Sequence, residues 1–255
     1  MNVPGAVTDP SAVTGERVDV QSGNDRIEAY VARPTSGGKR PGLIVIHEAF
    51  GPNDHIDDLA RRFANAGFDV IAPNLYTRGG PPTPDDMRSV MSKMFGLADS
   101  QAVTDLEASA AYLRGLDSSN GKVGCIGFCS GGRHTLLFAA SSGAVDAAVP
   151  CWGGFIEKAT PEAATTENRP TPVIDLLGGV QCPIYLVGGV EDENPSPKVL
   201  NEANDRLKAA GKDVTLEIFD SAGHAFLADY RPSYREGPAF ALWPKVIDFF
   251  HRHLG

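Results

Sequence analysis

Short apolar runs alternate with amphipathic segments along most of the chain. Leu43-Ile44-Val45-Ile46 is a continuous apolar run bounded by Pro41-Gly42 and His47, which is typical of a strand buried on both faces. In the next segment, residues 54–66, apolar side chains recur at helical spacing until Gly67, which favours a helix. By the same criteria we predict further strands at 70–72, 123–126, 145–149, 184–187 and 214–219, and further helices at 85–94, 102–116, 133–140, 197–210 and 239–253.

Two parts of the chain depart from this alternation. Strand-like runs at 17–20 and 26–31 flank Ser22-Gly23-Asn24-Asp25, so a hairpin is predicted after an irregular stretch at 1–14. Residues 157–172 are rich in Pro, Thr, Ala and Glu without a clear period, and we interpret them as an insertion loop. The rest predicts an α/β fold with a mostly parallel central sheet, helices on both faces and a single domain over residues 1–255.

Charge and cysteine content narrow the class of protein. The formal net charge of −9 disfavours nucleic acid as a partner, because binding that polyanion requires clustered Lys and Arg. The first residues lack the charged and apolar regions of a signal peptide, and no run reaches the roughly 18 apolar residues of a membrane span. The four cysteines have neither zinc-site spacing nor the pattern of a secreted disulfide framework. We therefore expect a cytoplasmic protein without a bound metal, as a monomer or small homo-oligomer.

The most informative motif is Gly127-Phe128-Cys129-Ser130-Gly131, which lies between a predicted strand and a predicted helix. It has the form glycine-x-nucleophile-x-glycine, in which a sharp turn exposes the central side chain at the end of the sheet. Glycine is needed two residues to either side because a Cβ there would collide with the turn. The N-terminus of the following helix favours a thiolate, so Cys129 is the predicted nucleophile.

A cysteine nucleophile needs a base, and the base needs a group to orient it. In this architecture the order along the chain is nucleophile, acid, histidine. His224 follows a predicted strand in a loop of small residues, so we predict it to be the base, whereas the two histidines that end the last helix suit its dipole. Asp192 follows the preceding strand and is the predicted acid, with the neighbouring Glu191 as the alternative.

The loop after the first central strand, His47-Glu48-Ala49-Phe50-Gly51, occupies the place from which an oxyanion-hole amide comes in folds with this turn. Ala49 and Ser130 are therefore the predicted amide donors. Glu48 is harder to explain, because a carboxylate at a strand end is costly to bury without a partner. It is either an exposed loop charge or a group with a specific role.

Together these motifs resemble the dienelactone hydrolase family, the cysteine branch of the α/β-hydrolase fold. The resemblance runs from about Arg26 onward and includes Leu75-Tyr76-Thr77-Arg78 and Ala222-Gly223-His224-Ala225-Phe226 beside the motifs above. It implies hydrolysis of the lactone ring of dienelactones in the breakdown of chlorinated aromatics, by a Cys-His-Asp triad without metal or organic cofactor. It also implies that Glu48 holds the resting thiol and swings away when substrate arrives, and that Arg78 binds the substrate carboxylate.

The match to the family is incomplete after the histidine. A second carboxylate-binding arginine is expected there, but alanine stands at the aligned position, and Arg231 or Arg235 is the candidate to replace it. Phe50 and Phe226, which belong to the matching motifs, are further candidates for substrate contact. Trp152, next to a predicted strand end, either lines the pocket or belongs to the core.

The resulting hypothesis is a hydrolase of small esters or lactones that works through a thioester acyl-enzyme, most similar to dienelactone hydrolase. Its partner would be a small-molecule ester or lactone, with or without a carboxylate group. One alternative keeps the enzyme but makes it a general carboxylesterase or thioesterase for small acyl groups. A second alternative, from another class, is a non-catalytic protein in which Cys129 is a redox sensor.

Overall fold

The N-terminal hairpin begins the sheet. The structure, a computed structural model, describes residues 3–158, 160 and 162–255. β1 (Val13–Ser22) and β2 (Asp25–Pro34) pair antiparallel in full register from Val13 opposite Pro34 to Ser22 opposite Asp25. The connecting turn uses Gly23 at a φ of 57°, a left-handed conformation that glycine adopts without steric cost.

One eight-stranded sheet contains all the strands of the described residues, in the order β1-β2-β4-β3-β5-β6-β7-β8. β2 is antiparallel to β4, and every pairing from β4 through β8 is parallel. The parallel strands therefore end at one edge, which is where ligands bind in such sheets. The remaining strands are β3 (Arg40–Ile46), β4 (Asp69–Pro73), β5 (Ser119–Phe128), β6 (Ala147–Cys151), β7 (Ile184–Gly189) and β8 (Val214–Phe219).

Helices connect the parallel strands, and local capping groups fix where several of them begin. The side chain of Asn53 accepts a hydrogen bond from the amide of Ile56 at 3.0 Å, and Ser196 caps the amide of Val199 in the same way. The helices are α1 (Asp54–Asn65), α2 (Met87–Gly96), α3 (Asp99–Arg114), α4 (Ser130–Ser141), α5 (Val173–Leu176), α6 (Pro197–Ala209) and α7 (Glu236–Leu254). Short 3-10 turns lie at Pro10–Ala12 and Leu177–Gly179.

Apolar side chains pack on both faces of the sheet. In β3, Leu43 and Val45 join a cluster that includes residues of α1 and α7, whereas Ile44 and Ile46 join a cluster that includes residues of α3 and α4. All four side chains are fully buried, and burial of such a side chain contributes about 1.5–3 kcal/mol. Both faces of β3 are therefore covered, which explains why its sequence is continuously apolar, as predicted.

The α/β fold and the order of the predicted strands and helices are confirmed, with differences at the ends of elements and with one short helix, α5, that was not predicted. β1 starts at Val13, inside the stretch predicted to be irregular, because its pairing with β2 continues that far. Within 157–172, the described residues form turns and bends without a helix or strand; residues 159 and 161 lie outside the described part, as do residues 1 and 2 of the N-terminal stretch. No helix among the described residues combines the length and apolar content needed to cross a membrane.

Candidate active site

The turn between β5 and α4 presents Cys129 at the edge of the sheet. Its φ is 56°, a conformation that is uncommon for a residue with a side chain and occurs at functional turns. A Cβ on Gly127 would lie 2.2 Å from the carbonyl oxygen of Gly131, and a Cβ on Gly131 would lie 2.4 Å from that of Ile46. The two flanking glycines are thus required by the close approach of backbone, and the turn leaves Cys129 partly exposed.

His224 and Asp192 come from the loops after β8 and β7, which end beside β5 and β6 at the same edge. Nδ1 of His224 lies 2.8 Å from Oδ2 of Asp192. The other carboxylate oxygen, Oδ1, accepts a hydrogen bond of 2.9 Å from the amide of Asn194. Asp192 is buried and Glu191 is exposed, so of the two acids it is Asp192 that contacts the imidazole.

The environment of His224 favours its protonated form. Burial lowers the pKa of His224, but the hydrogen bond to Asp192 and the proximity of Cys129 outweigh burial and raise the pKa to about 10. The imidazole contacts the carboxylate of Asp192 and lines the same cavity as the thiol of Cys129. This arrangement can transfer a proton between the thiol and the ring.

The two residues predicted to supply oxyanion donors are both neighbours of Cys129. Ala49 follows β3 and packs in one apolar cluster with Cys129, and Ser130 is the first residue of α4. Within the described residues, no protein oxygen accepts a hydrogen bond from the amide of Ala49 or of Ser130. Both amides are therefore available to an oxygen of a bound ligand.

Glu48 is buried, with 2% of its surface exposed, and it has the partners that burial requires. Its carboxylate accepts a hydrogen bond of 2.9 Å from the hydroxyl of Tyr230 and another of 2.9 Å from Nη1 of Arg231. Glu48 is thus not an exposed loop charge. No hydrogen bond joins it to Cys129 among the described residues, so the contact with the resting thiol that the family resemblance implies stays a prediction.

The two arginines that follow His224 have different surroundings. The guanidinium of Arg231 lies 4.9 Å from the ring centre of Phe50, in a cation-π contact, while it is paired with Glu48. Arg235 instead donates to the carbonyl oxygens of Pro232 and Tyr234 at the start of α7. Arg231 therefore contacts Glu48 and Phe50 in the loop formed by residues 47–51, which we call the oxyanion loop, whereas Arg235 lies at the start of α7.

The guanidinium of Arg78, which was predicted to bind a substrate carboxylate, is instead paired with two carboxylates of the protein. Its guanidinium forms a bidentate pair with Asp105 at 2.8 and 3.0 Å, and its Nε contacts Asp25 at 2.6 Å. Asp105 is fully buried, so the ion pair is needed to compensate for burying that carboxylate. The geometry does not support a role for Arg78 in binding a substrate carboxylate and gives it a structural one.

The structure also argues against the prediction that Trp152 and Phe226 contact substrate, because their side chains point into the core. They are 1% and 0% exposed, and their rings contact each other with centroids 4.6 Å apart. Phe128 packs on the other side of Trp152 at 5.7 Å. These aromatic rings pack in the core next to the turn that carries Cys129 and are not among the residues that line its cavity.

A cavity of about 220 Å³ opens beside Cys129. Among its lining residues, Met94, Arg133, Phe155 and Asn194 were not predicted from the sequence, because none of them belongs to one of the motifs. Arg133 is buried and paired in bidentate fashion with Asp99 at 2.6 and 3.0 Å, so its charge is compensated. The lining residues are Met94, Cys129, Ser130, Arg133, Gly154, Phe155, Asp192, Asn194 and His224.

The end of the insertion loop is attached to the wall of this cavity. The carbonyl of Asn168 accepts a hydrogen bond of 2.8 Å from the amide of Asp99, and the guanidinium of Arg169 lies 4.5 Å from the ring centre of Phe95. Arg169 also donates to the carbonyl of Met94, which lines the cavity. The position of the Met94 wall therefore depends on the loop.

A larger cavity, of about 520 Å³, lies at the opposite end of the sheet, where β3, β4 and β5 begin. It is lined by Arg33, Lys39 and Arg40 among others, but Arg40 is occupied by three backbone carbonyls and Lys39 by the carbonyl of Asp117. No cysteine or histidine lines it, so its serine and threonine hydroxyls have no imidazole base beside them. The smaller cavity at Cys129 is therefore the candidate active site.

A mostly parallel sheet that carries a nucleophile turn after β5, an acid after β7 and a histidine after β8 defines the α/β-hydrolase fold. Comparison with known proteins narrows the class. The model of the "Dienelactone hydrolase family" matches residues 27–254, and the chain belongs to this family.

Similar proteins span nearly the whole chain. A "putative carboxymethylenebutenolidase" of Methylorubrum extorquens is 32% identical over 96% of this chain and 84% of its own length, and one of Escherichia coli K12 is 33% identical over 97% and 90%. The crystal structure of a "putative dienelactone hydrolase" of Klebsiella pneumoniae superposes with a TM-score of 0.86 at 30% identity, covering 94% of this chain and 99% of the other. The chain is therefore a member of a hydrolase family whose relatives are named for lactone hydrolysis.

Proposed function

We propose that this protein hydrolyses small esters or lactones through a thioester formed on Cys129, with His224 as the base and Asp192 as the group that orients it. The observation that carries the proposal is the contact of 2.8 Å between His224 and Asp192, in a cavity that Cys129 lines together with both of these residues. The family and the relatives named as butenolidases support the reaction type.

The proposed reaction begins from the pair in which His224 already holds the proton of the Cys129 thiol, a state that the raised pKa of the imidazole favours. The thiolate attacks the carbonyl carbon, and the negative charge that develops on the carbonyl oxygen is held by the amides of Ala49 and Ser130. When the tetrahedral intermediate collapses, the leaving alkoxide takes the proton from His224. In a lactone this alkoxide stays attached to the acyl group, so the ring opens while the product remains bound to Cys129.

The second half of the proposed reaction releases the acyl group. His224 removes a proton from water, the resulting hydroxide attacks the thioester carbonyl, and the same amides hold the oxyanion. Collapse expels the thiolate of Cys129, which regenerates the starting pair. Asp192 accepts a hydrogen bond from Nδ1 throughout, so that Nε2 is free to accept and return the proton.

The cavity supports small substrates. Its volume of about 220 Å³ is below the roughly 300–1,000 Å³ of ordinary drug-sized pockets, which favours short acyl groups. Arg231 is the candidate to bind a substrate carboxylate, since it lies beside Glu48 and Phe50 at the oxyanion loop. In this proposal the substrate carboxylate binds Arg231 in place of the carboxylate of Glu48.

A second candidate function is hydrolysis of neutral esters or thioesters of small acids. It is favoured by the pairing of Arg78 with two carboxylates and of Arg133 with Asp99, which leaves neither cation free for an anionic substrate. Turnover of a neutral p-nitrophenyl ester and of one whose acyl chain ends in a carboxylate separates the two candidates. Preference for the charged ester that disappears in Arg231→Met supports the lactonase assignment, and equal turnover of both supports the neutral-ester candidate.

The test of the reaction itself compares wild type with Cys129→Ala on a dienelactone and on the neutral ester. We expect a wild-type acyl-enzyme, trapped at low pH and detected by mass spectrometry on the peptide that contains Cys129. Turnover that persists in Cys129→Ala would contradict the proposal. Oxidation of Cys129 without turnover of either substrate would favour the redox-sensor alternative. The cytoplasmic location, the absence of nucleic-acid partners and the oligomeric state stay predictions from the sequence.

A further inference from the structure

His47, the first residue of the loop that follows β3, is buried, and both of its ring nitrogens are hydrogen-bonded. Its side chain is at the end of β3 and 2% exposed. Nδ1 lies 2.7 Å from the carbonyl oxygen of Glu48, and Nε2 lies 3.3 Å from the amide of Leu75. The ring therefore joins the loop after β3 to the loop after β4.

These two contacts define which ring nitrogen carries the proton. The amide of Leu75 can only donate, so Nε2 must present a lone pair. The carbonyl of Glu48 can only accept, so Nδ1 must carry hydrogen. A neutral ring with hydrogen on Nδ1 satisfies both partners, and burial keeps the ring neutral by lowering the pKa of His47 to about 4.

The Glu48 carbonyl and the Ala49 amide belong to the same peptide group. In a trans peptide these two groups point in opposite directions, so holding the oxygen fixes the direction of the N–H. The Glu48 oxygen is held twice, by Nδ1 of His47 and by the amide of Gly51 at 3.1 Å. A carbonyl that accepts two hydrogen bonds also polarises its peptide, which makes the N–H a better donor.

Tyr76 holds the next peptide along the loop. Its hydroxyl donates to the carbonyl of Ala49 at 3.2 Å, and its ring centre lies 4.9 Å from that of His47. Both carbonyls that flank the Ala49 α-carbon are thereby fixed by buried side chains from outside the loop. No such support exists for an amide in a solvent-exposed loop, which would have to be ordered when substrate binds.

We propose that His47 is a positioning residue for the oxyanion hole: in its Nδ1–H form, the ring holds the Glu48 carbonyl and thereby aims the Ala49 amide at the carbonyl oxygen of the substrate. The inference rests on the proposed function, because it assigns a task to one of the proposed oxyanion donors. It adds a residue that does not itself contact substrate and acts only through the backbone of Glu48 and Ala49.

The decisive experiment compares His47→Leu, His47→Gln and the control His251→Leu on the neutral p-nitrophenyl ester. Leucine removes the donor and keeps the bulk, whereas the amide of glutamine offers a donor and an acceptor in place of the two ring nitrogens. His251 lies on α7 against Ala66 and Phe68, remote from the cavity. We expect kcat to fall about 10- to 100-fold in His47→Leu, with KM changed less than about threefold, since removal of a whole oxyanion donor costs about 10²–10³.

Two further readouts separate positioning from general damage. Alkylation of Cys129 by iodoacetamide forms no oxyanion, so its rate should stay within about twofold of wild type in His47→Leu. His47→Gln should recover most of kcat, and His251→Leu should match wild type. An unchanged kcat in a folded His47→Leu overturns the proposal, and so does a parallel loss of kcat and alkylation, which would mean that the ring supports the site as a whole.

The state of the ring can be measured without any activity. In wild type labelled with ¹⁵N-histidine, we expect the signal that His47→Gln removes to show hydrogen on Nδ1 and to stay neutral down to about pH 5. Hydrogen on Nε2, or titration near the ordinary value, overturns the proposal even if His47→Leu fails to fold. Absence of Cys129-dependent turnover by wild type, with the expected ring state, overturns instead the proposed function on which the inference rests.

Discussion

Replacing Asp192 by asparagine should impose the wrong protonation on His224 while leaving the site filled. Oδ1 of Asp192 already accepts the amide of Asn194 at 2.9 Å, so the amide oxygen of an asparagine would keep that place. Its NH₂ group would then face Nδ1 of His224, where Oδ2 now lies at 2.8 Å. Nδ1 would have to accept, hydrogen would move to Nε2, and the ring could no longer take the proton of Cys129.

The magnitude follows from what the base does. Loss of the correct tautomer costs about 10⁴ in kcat in a serine triad. A thiol is more acidic and more nucleophilic than a hydroxyl, so we expect about 10³ here, which corresponds to about 4 kcal/mol at the transition state. The assay is kcat/KM for the neutral p-nitrophenyl ester, with a thermal melt to verify folding.

The chain offers a matched control one residue away. Glu191→Gln makes the same chemical change on an exposed side chain, and its kcat/KM should stay within about twofold of wild type. Retention of more than about a tenth of the activity by Asp192→Asn would refute the tautomer argument. An equal loss in Glu191→Gln would refute the choice of acid.

Three other predictions concern the turn at Gly131, the ion pair between Arg78 and Asp105, and the pKa of His224. Gly131→Ala should lower the free energy of unfolding by at least about 1–3 kcal/mol in a denaturant titration, because its Cβ would meet the Ile46 carbonyl at 2.4 Å; an unchanged midpoint would contradict this geometry. Arg78→Met should lower the melting temperature by leaving buried Asp105 unpaired, yet leave KM for the carboxylate-bearing ester unchanged; a raised KM with normal stability would restore a substrate role. Because the pKa of His224 is raised to about 10 in the folded protein, His224 should contribute stability that is full below about pH 6.5 and is lost as pH rises toward 10. The difference in melting temperature between wild type and His224→Gln should therefore shrink over that range. A constant difference would contradict the raised pKa.

The residues that could be predicted from the sequence are those that directly follow parallel strands. Cys129, Asp192 and His224 each come after an apolar run, and the ends of parallel strands converge whatever the details of packing. The choice between Asp192 and Glu191 could not be made in the same way, because one residue of register turns a side chain from the cavity to solvent. Only the structure shows which of the two is buried.

The substrate-binding predictions were less successful for a physical reason. A motif carries the identity of Arg78 but not its partners, and these are 53 and 27 residues away along the chain in the β1–β2 turn and in α3. Trp152 lies just beyond a strand end, as a pocket residue would, but its ring is buried in the core against Phe128. Cavity walls such as Met94 and Phe155 depend on how loops pack, and sequence periodicity does not report that.

Because the residues of the proposed triad follow β5, β7 and β8, they are added to the growing chain at different times. At synthesis rates of about 5–20 residues per second, His224 is added roughly 5–20 s after Cys129. Until β8 has paired with β7, no imidazole is held beside the sulfur, and the side chain is an ordinary thiol of an incomplete polypeptide. Under the proposed mechanism, a ribosome that stalls before His224 leaves a fragment whose Cys129 reacts only as an ordinary thiol, and the additional reactivity that His224 confers is expected only after the final strand has docked.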